Sequence, residues 1–500
     1  MQIFTRISIA IAIVFSLFLI NTSYAQEEGP SSRLEIEEII VTGTKRDIGQ
    51  QDAAIAVSAI TEQAFANQNA NDPRAIASLV PNVTLTLQPA FNAVAGGIRG
   101  TGSISILVTE DPSVAFLVDD FGLNHVQSQF IEMFDIEQIE VYRGPQGTLF
   151  GKNATGGVIS VTTKKPVLDE WSGEFSAMAG QYDWNEGSIN KFKLALNAPI
   201  VEGKIAMRIA AIWDKSQGFY TNSKPAGDFP GPIVLNPAAA WPDDGTSLSN
   251  VGDGGDLGGK DVLAAKVKLL FEPNASYSGH LIFEISKDDS GAPPTVNETD
   301  CPGGQLFCLL GFPGIHTPSP NWGGEKWSNP YATGESYHCN SVIAICKGHR
   351  MDSKGIYFNQ TFAIGDNYTL KSITGYRNHE ERNASTYTGE AFASLYDASR
   401  NTERDQMQQE FRLTSEYDGP FNFTAGVSYA EDNLNFAAYA AVGLQWFLGV
   451  PGWIHTDYSS TATHQNRTSK AYYFDFTYEI NEAWRISAGI RETEDEKQFV

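Results

Sequence analysis

A compact α+β domain followed by an antiparallel transmembrane β-barrel is the fold class the sequence predicts. Three observations predict it. Residues 1–25 read as a secretory signal, and no later apolar run reaches the length of a membrane-crossing helix. From Trp171 onward apolar and polar residues alternate with a period of two. The connections between those strands are alternately short and long, so all the long loops emerge on one side.

Composition sets the outer bounds. The chain has 500 residues, enough for several domains or one large barrel. With 19% charged and 11% aromatic residues it is neither disordered nor membrane-helical in character. A formal charge of −24 argues against an electrostatic nucleic-acid binder, and otherwise favours solubility without naming a ligand. In the signal, Arg6 supplies the positive n-region and Ile7 to Ile20 the apolar h-region. Ser23-Tyr24-Ala25 places small residues at −3 and −1, so cleavage is expected before Gln26. The apolar run falls short of the roughly 20 residues that an uncleaved anchor helix needs.

A polar lead, Gln26 to Ile36, precedes the run Glu37-Glu38-Ile39-Ile40-Val41-Thr42-Gly43-Thr44-Lys45-Arg46. A short β-branched run in a polar terminus can add as a strand to an exposed sheet edge. Residues 48–166 then form the α+β block. Pro73 to Leu79 reads as a helix with Asp72 as N-cap, and Pro81-Asn82-Val83 returns the chain to extended structure. The block closes with Phe134 to Pro166, where two strand-like runs flank Gly144, Gly147, Gly151, Gly156 and Gly157. Such glycine density permits tight turns and close backbone approach. A phosphate-binding loop fails on spacing. Three residues separate Gly147 from Gly151 where four are required, and Asn153 follows Lys152 where Ser or Thr is needed.

This closing segment resembles, almost residue for residue, the end of the plug domain of TonB-dependent outer-membrane receptors. Ile98-Arg99-Gly100 resembles the family's IRG element, and Pro112 to Asp120 its strand entering a turn. The family usually has Asp-Gly where this chain has Asp119-Asp120, which leaves the turn type open. The resemblance implies a map: 1–25 signal peptide, 26–47 extension with the TonB box, 48–166 plug and 167–500 barrel. It places Glu38, Ile39, Ile40, Val41 and Thr42 in the box that engages TonB and its inner-membrane energising complex. It further implies a monomer among the outer-membrane lipids of a Gram-negative bacterium, with no cofactor. The ligand implied is a scarce extracellular small molecule, most often an iron–siderophore complex; cobalamin, haem and oligosaccharides stay open.

Eleven strands follow the block, at 171–182, 190–197, 205–214, 262–272, 276–287, 354–364, 368–380, 407–417, 421–432, 470–480 and 484–498. Ile205, Met207, Ile209, Ala211 and Trp213 share one face, opposite Arg208 and Asp214. Lys266 and Lys268 oppose an apolar face, as do His280 and Glu284, and Tyr472, Phe474, Phe476 and Tyr478 form an aromatic stripe. Plugged transporters have about 22 strands, so about half a barrel is present. Because lipid cannot satisfy open sheet edges, an N-terminal fragment of a longer receptor is expected. A small barrel or a pair of half-barrels is the alternative.

Within the barrel, Gln408, Glu410 and Arg412 should face inward and Phe411 and Leu413 outward. The run resembles the family strand whose lumen carboxylate meets plug arginines, and Arg99 and Arg143 occupy the matching plug motifs. A contact between Glu410 and either arginine is therefore expected. Cys301 and Cys308 share one spacing with Cys339 and Cys346, and an even count in a secreted chain suggests disulfides. Pairing within each C-x6-C is the simplest of three connectivities, and zinc ligation with His338 and His349 stays open. Trp241, Trp322, Trp327, Trp446 and Trp453 fall in or beside long loops, where they pack, anchor at the interface or stack on ligand. Asp253-Gly254-Gly255-Asp256 lacks an EF-hand spacing and reads as a solvated loop, so no metal site is expected. No nucleophile elbow or similar signature points to catalysis. A passive pore and a signalling or adhesion protein are the rival readings.

Overall fold

The computed structural model describes residues 40–42, 45–46, 48–51, 53–68, 71–88, 93–103, 107–129, 131–183, 187–217, 220–221, 256–257, 259–290, 349–386, 396–442, 458–481 and 483–499. The α+β domain begins with β1 (Ile40–Val41), β2 (Ile48–Gly49) and β3 (Val57–Thr61), then helices α1 (Glu62–Ala66) and α2 (Arg74–Leu79). There follow β4 (Val83–Gln88), β5 (Ala93–Ile98), β6 (Thr101–Ser103), β7 (Val114–Val118), β8 (Phe121–Gly122) and β9 (Ile136–Arg143). A single turn of helix, α3 (Gly147–Phe150), leads to β10 (Gly157–Thr163). The main sheet runs β3-β9-β10-β7-β8, with β10 parallel to β7 and antiparallel to β9. Ile76, Ile98, Phe116, Phe121, Ile139 and Ile159 belong to one buried hydrophobic cluster.

Local chemistry explains the domain's turns. Helix α2 starts one residue later than the Pro73 expected, yet the Asp72 carboxylate still accepts the Arg74 backbone N–H at 3.0 Å. Asp119 and Asp120 connect β7 to β8 with φ of +49° and +70°. Two left-handed central residues are what a type I′ hairpin turn demands, so the turn geometry is kept without the family's glycine. The glycines closing the domain are required sterically. A Cβ on Gly156 would sit 2.5 Å from the Thr101 carbonyl oxygen, and one on Gly157 would strike the Tyr142 carbonyl oxygen.

A second sheet carries the rest of the chain. Its strands begin with β11 (Ser172–Gln181), β12 (Ser188–Val201) and β13 (Ile205–Ser216). A small ribbon of β14 (Tyr220–Thr221) and β15 (Asp256–Leu257) interrupts the order. The sheet resumes with β16 (Lys260–Asn274), β17 (Tyr277–Asp288), β18 (His349–Ile364) and β19 (Tyr368–Thr386). It ends with β20 (Tyr396–Ser415), β21 (Phe421–Val442), β22 (Tyr458–Asn481) and β23 (Trp484–Phe499). All eleven expected strands are present, each antiparallel to the next in chain order.

Strand ends at the short turns fall close to the sequence reading, whereas those at the long loops run further. β20 starts at Tyr396 and β22 at Tyr458, where alternation had suggested 407 and 470. Outward positions there are polar, as at Glu403, Asp405, Glu431 and Asn433, so the period-two signal fades while backbone pairing continues. Lower down, the outer face is apolar and ringed by aromatics beside the short turns. Tyr277 and Phe362 lie 4.9 Å apart and Phe421 and Phe476 5.8 Å, a girdle typical of membrane barrels.

The cysteine expectation lies outside the described residues. Cys301, Cys308, Cys339 and Cys346 all fall between β17 and β18, in the stretch 291–348 that the structure does not describe. Neither the pairing of Cys301 with Cys308 nor that of Cys339 with Cys346 is therefore part of the fold described here.

Gly157→Ala should destabilise the α+β domain by about 3 kcal/mol, the upper range for forcing a methyl into packed surroundings. Limited proteolysis of residues 48–166 in the full-length protein measures it, and undiminished resistance would remove the steric reading.

Candidate functional site

Period-two alternation turns a row of charged side chains toward the α+β domain. Glu410 projects inward from β20, its side chain only 10% exposed. Its Oε1 accepts Lys45 Nζ at 2.8 Å, the Arg412 guanidinium at 2.8 and 2.9 Å, and the Tyr473 hydroxyl at 2.8 Å. Lys45 Nζ also lies 5.1 Å from the Tyr473 ring centre and 5.4 Å from that of Phe150. Burial, with the Arg412 guanidinium close by, pulls the Lys45 ammonium down to about 8, which leaves it charged at neutral pH.

Glu410 therefore meets a cation from the N-terminal part of the chain, but not the ones expected. Lys45 fills the role assigned to Arg99 and Arg143. Arg99 sits in the left-handed region at φ +54°, exposed, with its Nη1 3.4 Å from where a Gly144 Cβ would stand. The Arg143 Nε is buried without a hydrogen-bond partner. Arg99 stays beside the domain's own turn at Gly144, and the polar sequence ahead of the block supplies the lumen contact instead.

A second buried ion pair has the opposite polarity. Asp135, at φ +55°, accepts Arg208 Nη2 at 2.5 Å and Nε at 3.0 Å from β13, and Lys268 Nζ at 3.1 Å from β16. Lys268 also donates to the Lys164 carbonyl at 2.7 Å. The Lys268 side chain is completely buried. Sequence reading missed Asp135, although Arg208 and Lys268 were already placed on the inward face. Arg208 and Lys268 stand directly opposite each other across β13 and β16, and two like charges in register call for a carboxylate between them.

Two further sets of contacts hold the domain's loops. Barrel cations clasp the loop after β6: Arg404 donates to the Val108 carbonyl at 2.9 Å, and Arg467 pairs with Asp111 at 2.6 Å. The Asp119–Asp120 turn is gripped by amides, with Asn359 donating to the Asp119 carbonyl at 2.9 Å. Gln408 accepts the Gly122 N–H at 3.0 Å and donates to the Asp120 carbonyl at 3.3 Å. These residues span β18 to β22, so the sheet wraps round the domain.

At the short-turn side lies the start of the described chain. Ile40 and Val41 pair with Gly49 and Ile48, and the Thr42 N–H and hydroxyl both donate to Glu140, each at 2.8 Å. Arg46 Nε donates to Thr424 at 3.1 Å. Glu38 and Ile39 of the expected box lie outside the described residues, as do Cys301, Cys308, Cys339, Cys346 and His338. The same holds for Trp241, Trp322, Trp327, Trp446 and Trp453. His349, named with His338 as a zinc alternative, is held between Asp288 and Glu381, each at 3.4 Å.

Residues 49–158 match the family model described as TonB-dependent Receptor Plug Domain. The ferric enterobactin receptor of Pseudomonas aeruginosa is 28% identical over 237 residues, covering 43% of this chain and 31% of that protein. The hemin receptor of Yersinia enterocolitica is 24% identical over 157 residues, covering 31% of this chain and 22% of that protein. Among solved structures, the ferric yersiniabactin uptake receptor FyuA of Yersinia pestis matches with a TM-score of 0.63 at 16% identity. That match covers 89% of this chain and 57% of the FyuA chain. The chain is a protein like the TonB-dependent siderophore receptors. Its α+β domain is the plug, and its eleven-stranded sheet is barrel wall. It spans little more than half the length of the structural relative it matches.

The Lys45–Glu410 pair and the Asp135 pair of this receptor-like chain differ in what their loss leaves behind. Without Lys45, Glu410 keeps Arg412 and Tyr473. Without Asp135, two buried barrel cations lose their carboxylate. Removing one partner of a buried pair costs about 3–5 kcal/mol when a charge is stranded. Asp135→Ala should therefore weaken plug seating by about that much in the full-length receptor. Lys45→Ala should cost less, about 1.5–3 kcal/mol, the scale of a lost hydrogen bond to a charged group. Denaturant titration of plug protease resistance ranks the two, and an equal or reversed ranking would refute the asymmetry.

Proposed function

We propose that the chain belongs to an outer-membrane receptor that imports a scarce iron complex, a ferric siderophore first among them, using energy passed on by TonB. One observation carries the reading. A plug is seated inside the barrel wall by buried charges, and the releasable one, Lys45, lies four residues beyond the end of the strand Ile40–Val41. Force applied to that strand reaches Lys45 within a few residues and leaves Glu410 still paired with Arg412. The seat at Asp135 holds the central sheet meanwhile.

In this reading residues 1–25 are removed as a signal, 26–47 carry the TonB box, 48–166 form the plug and 167–500 barrel strands. Glu38 to Thr42 are the TonB-binding residues, and the receptor works as a monomer among outer-membrane lipids of a Gram-negative cell. Disulfides within Cys301–Cys308 and Cys339–Cys346 would brace the long loop between β17 and β18. The iron class rests on relatives named for ferric enterobactin and for hemin. A passive pore would have no use for a seated plug. No covalent chemistry is required of any residue. The plug must exclude solutes, bind cargo with the outer loops and move when pulled.

Uptake tests the proposal. A strain lacking the full-length gene should lose accumulation of a labelled ferric siderophore or haem and regain it on complementation. Ile40→Pro should bind cargo at the cell surface yet fail to import it, because proline offers no N–H to an added strand. Undiminished import by that variant would remove the box assignment. Unchanged accumulation of every iron source in the deletion strain would remove the iron class.

A further inference from the structure

Strand β1 meets β2 along one edge, and its other edge is covered by side chains. Alternate residues of a strand present their N–H and C=O groups to the same edge, so Ile40 and Thr42 share one. The Ile40 carbonyl accepts Gln138 Nε2 at 2.9 Å, and the Thr42 N–H donates to Glu140 Oε1 at 2.8 Å. Gln138 and Glu140 stand two apart on β9, and Gln138 Nε2 ties them together by donating to Glu140 Oε1 at 2.9 Å. One side chain supplies a donor and the next an acceptor, in the order a neighbouring backbone would.

We propose that Gln138 and Glu140 act as a surrogate strand, occupying the edge of residues 40–42 that a partner strand must take. It rests on the reading of Glu38 to Thr42 as the TonB box.

The chemistry of Glu140 makes the occupancy strong. Its carboxylate is buried and has four uncharged donors: the Thr42 N–H, the Thr42 hydroxyl, Gln138 and the Tyr142 hydroxyl at 2.6 Å. Burial beside Glu140 pushes the Tyr142 phenol far up, so it remains a donor. Thr42 alone provides two of the four, and a carboxylate in this position binds donors about twice as strongly as a neutral group would. A serine or threonine at position 42 fits, because it offers a hydroxyl beside its N–H. Pulling the segment away leaves Glu140 with half its donors, which favours recapture once a partner lets go.

The proposal predicts mutual exclusion: Thr42 bonds to Glu140 or to the added strand, never to both. The test uses the full-length receptor in bilayers without TonB. Trypsin cleavage after Lys45 and Arg46 reports release of the arm, and the affinity of the purified periplasmic domain of TonB reports access to the edge. Glu140→Gln keeps the side-chain shape and removes a buried charge, so the plug should stay folded. It should raise the cleavage rate about tenfold, the factor for replacing a charged by a neutral hydrogen bond, and tighten TonB binding. Thr42→Val, which deletes only the hydroxyl on the arm, should raise cleavage several-fold. Wild-type cleavage rates in both variants, with plug resistance intact, would overturn the proposal. Faster cleavage with no TonB binding by any variant would leave the surrogate strand standing and sink the box reading.

Discussion

Strands that face lipid on one side place their polar residues on the other, and at Arg208, Lys268, Arg404 and Glu410 that side is buried against the plug. Everything else in this structure depends on that constraint. A carboxylate or ammonium inside a dry lumen is tolerable only with a partner, and the wall cannot supply all partners from its own strands. Arg208 and Lys268 look inward with the same sign of charge and receive Asp135 from the plug. Glu410 and Arg412 form a pair within one strand and admit Lys45 as a third member. The plug is thus an ionic complement to the wall as well as a stopper.

That difference in arrangement divides the plug into a part that should stay and a part that should leave. Asp135 precedes β9, the strand between β3 and β10, and its loss would strand two cations. Lys45 lies on an arm ahead of the sheet, and its loss strands nothing. The amide grip on the Asp119–Asp120 turn and the clasp on Asp111 add holding points on the longer strands of the wall. Release at the short-turn side therefore need not unseat the sheet.

Much of this was legible in the sequence. Eleven strands, their faces and the side of the long loops follow from alternation and connection length, because lipid enforces both. The inward aim of Glu410 is equally direct, since its neighbour Phe411 must face out. Its partner was not legible. Choosing Lys45 over Arg99 and Arg143 depends on a left-handed backbone at Arg99 that holds it beside Gly144, and on an arm whose Thr42 is bonded to Glu140. Asp135 was hidden for another reason. It lies at the start of the Gly-rich signature, where glycines draw notice, while its partners Arg208 and Lys268 are far away in sequence. The upper end of β20 escaped because outward residues above the lipid band, such as Glu403 and Asp405, are polar, which erases the pattern without ending the strand.

Amide hydrogen exchange in the full-length receptor, with and without the periplasmic domain of TonB, tests the division most directly. Exchange should quicken on TonB addition at residues 40–50, while 136–143 and 157–163 keep their protection. Loss of protection across the central sheet together with the arm would contradict a plug that is fixed at Asp135 and released at Lys45.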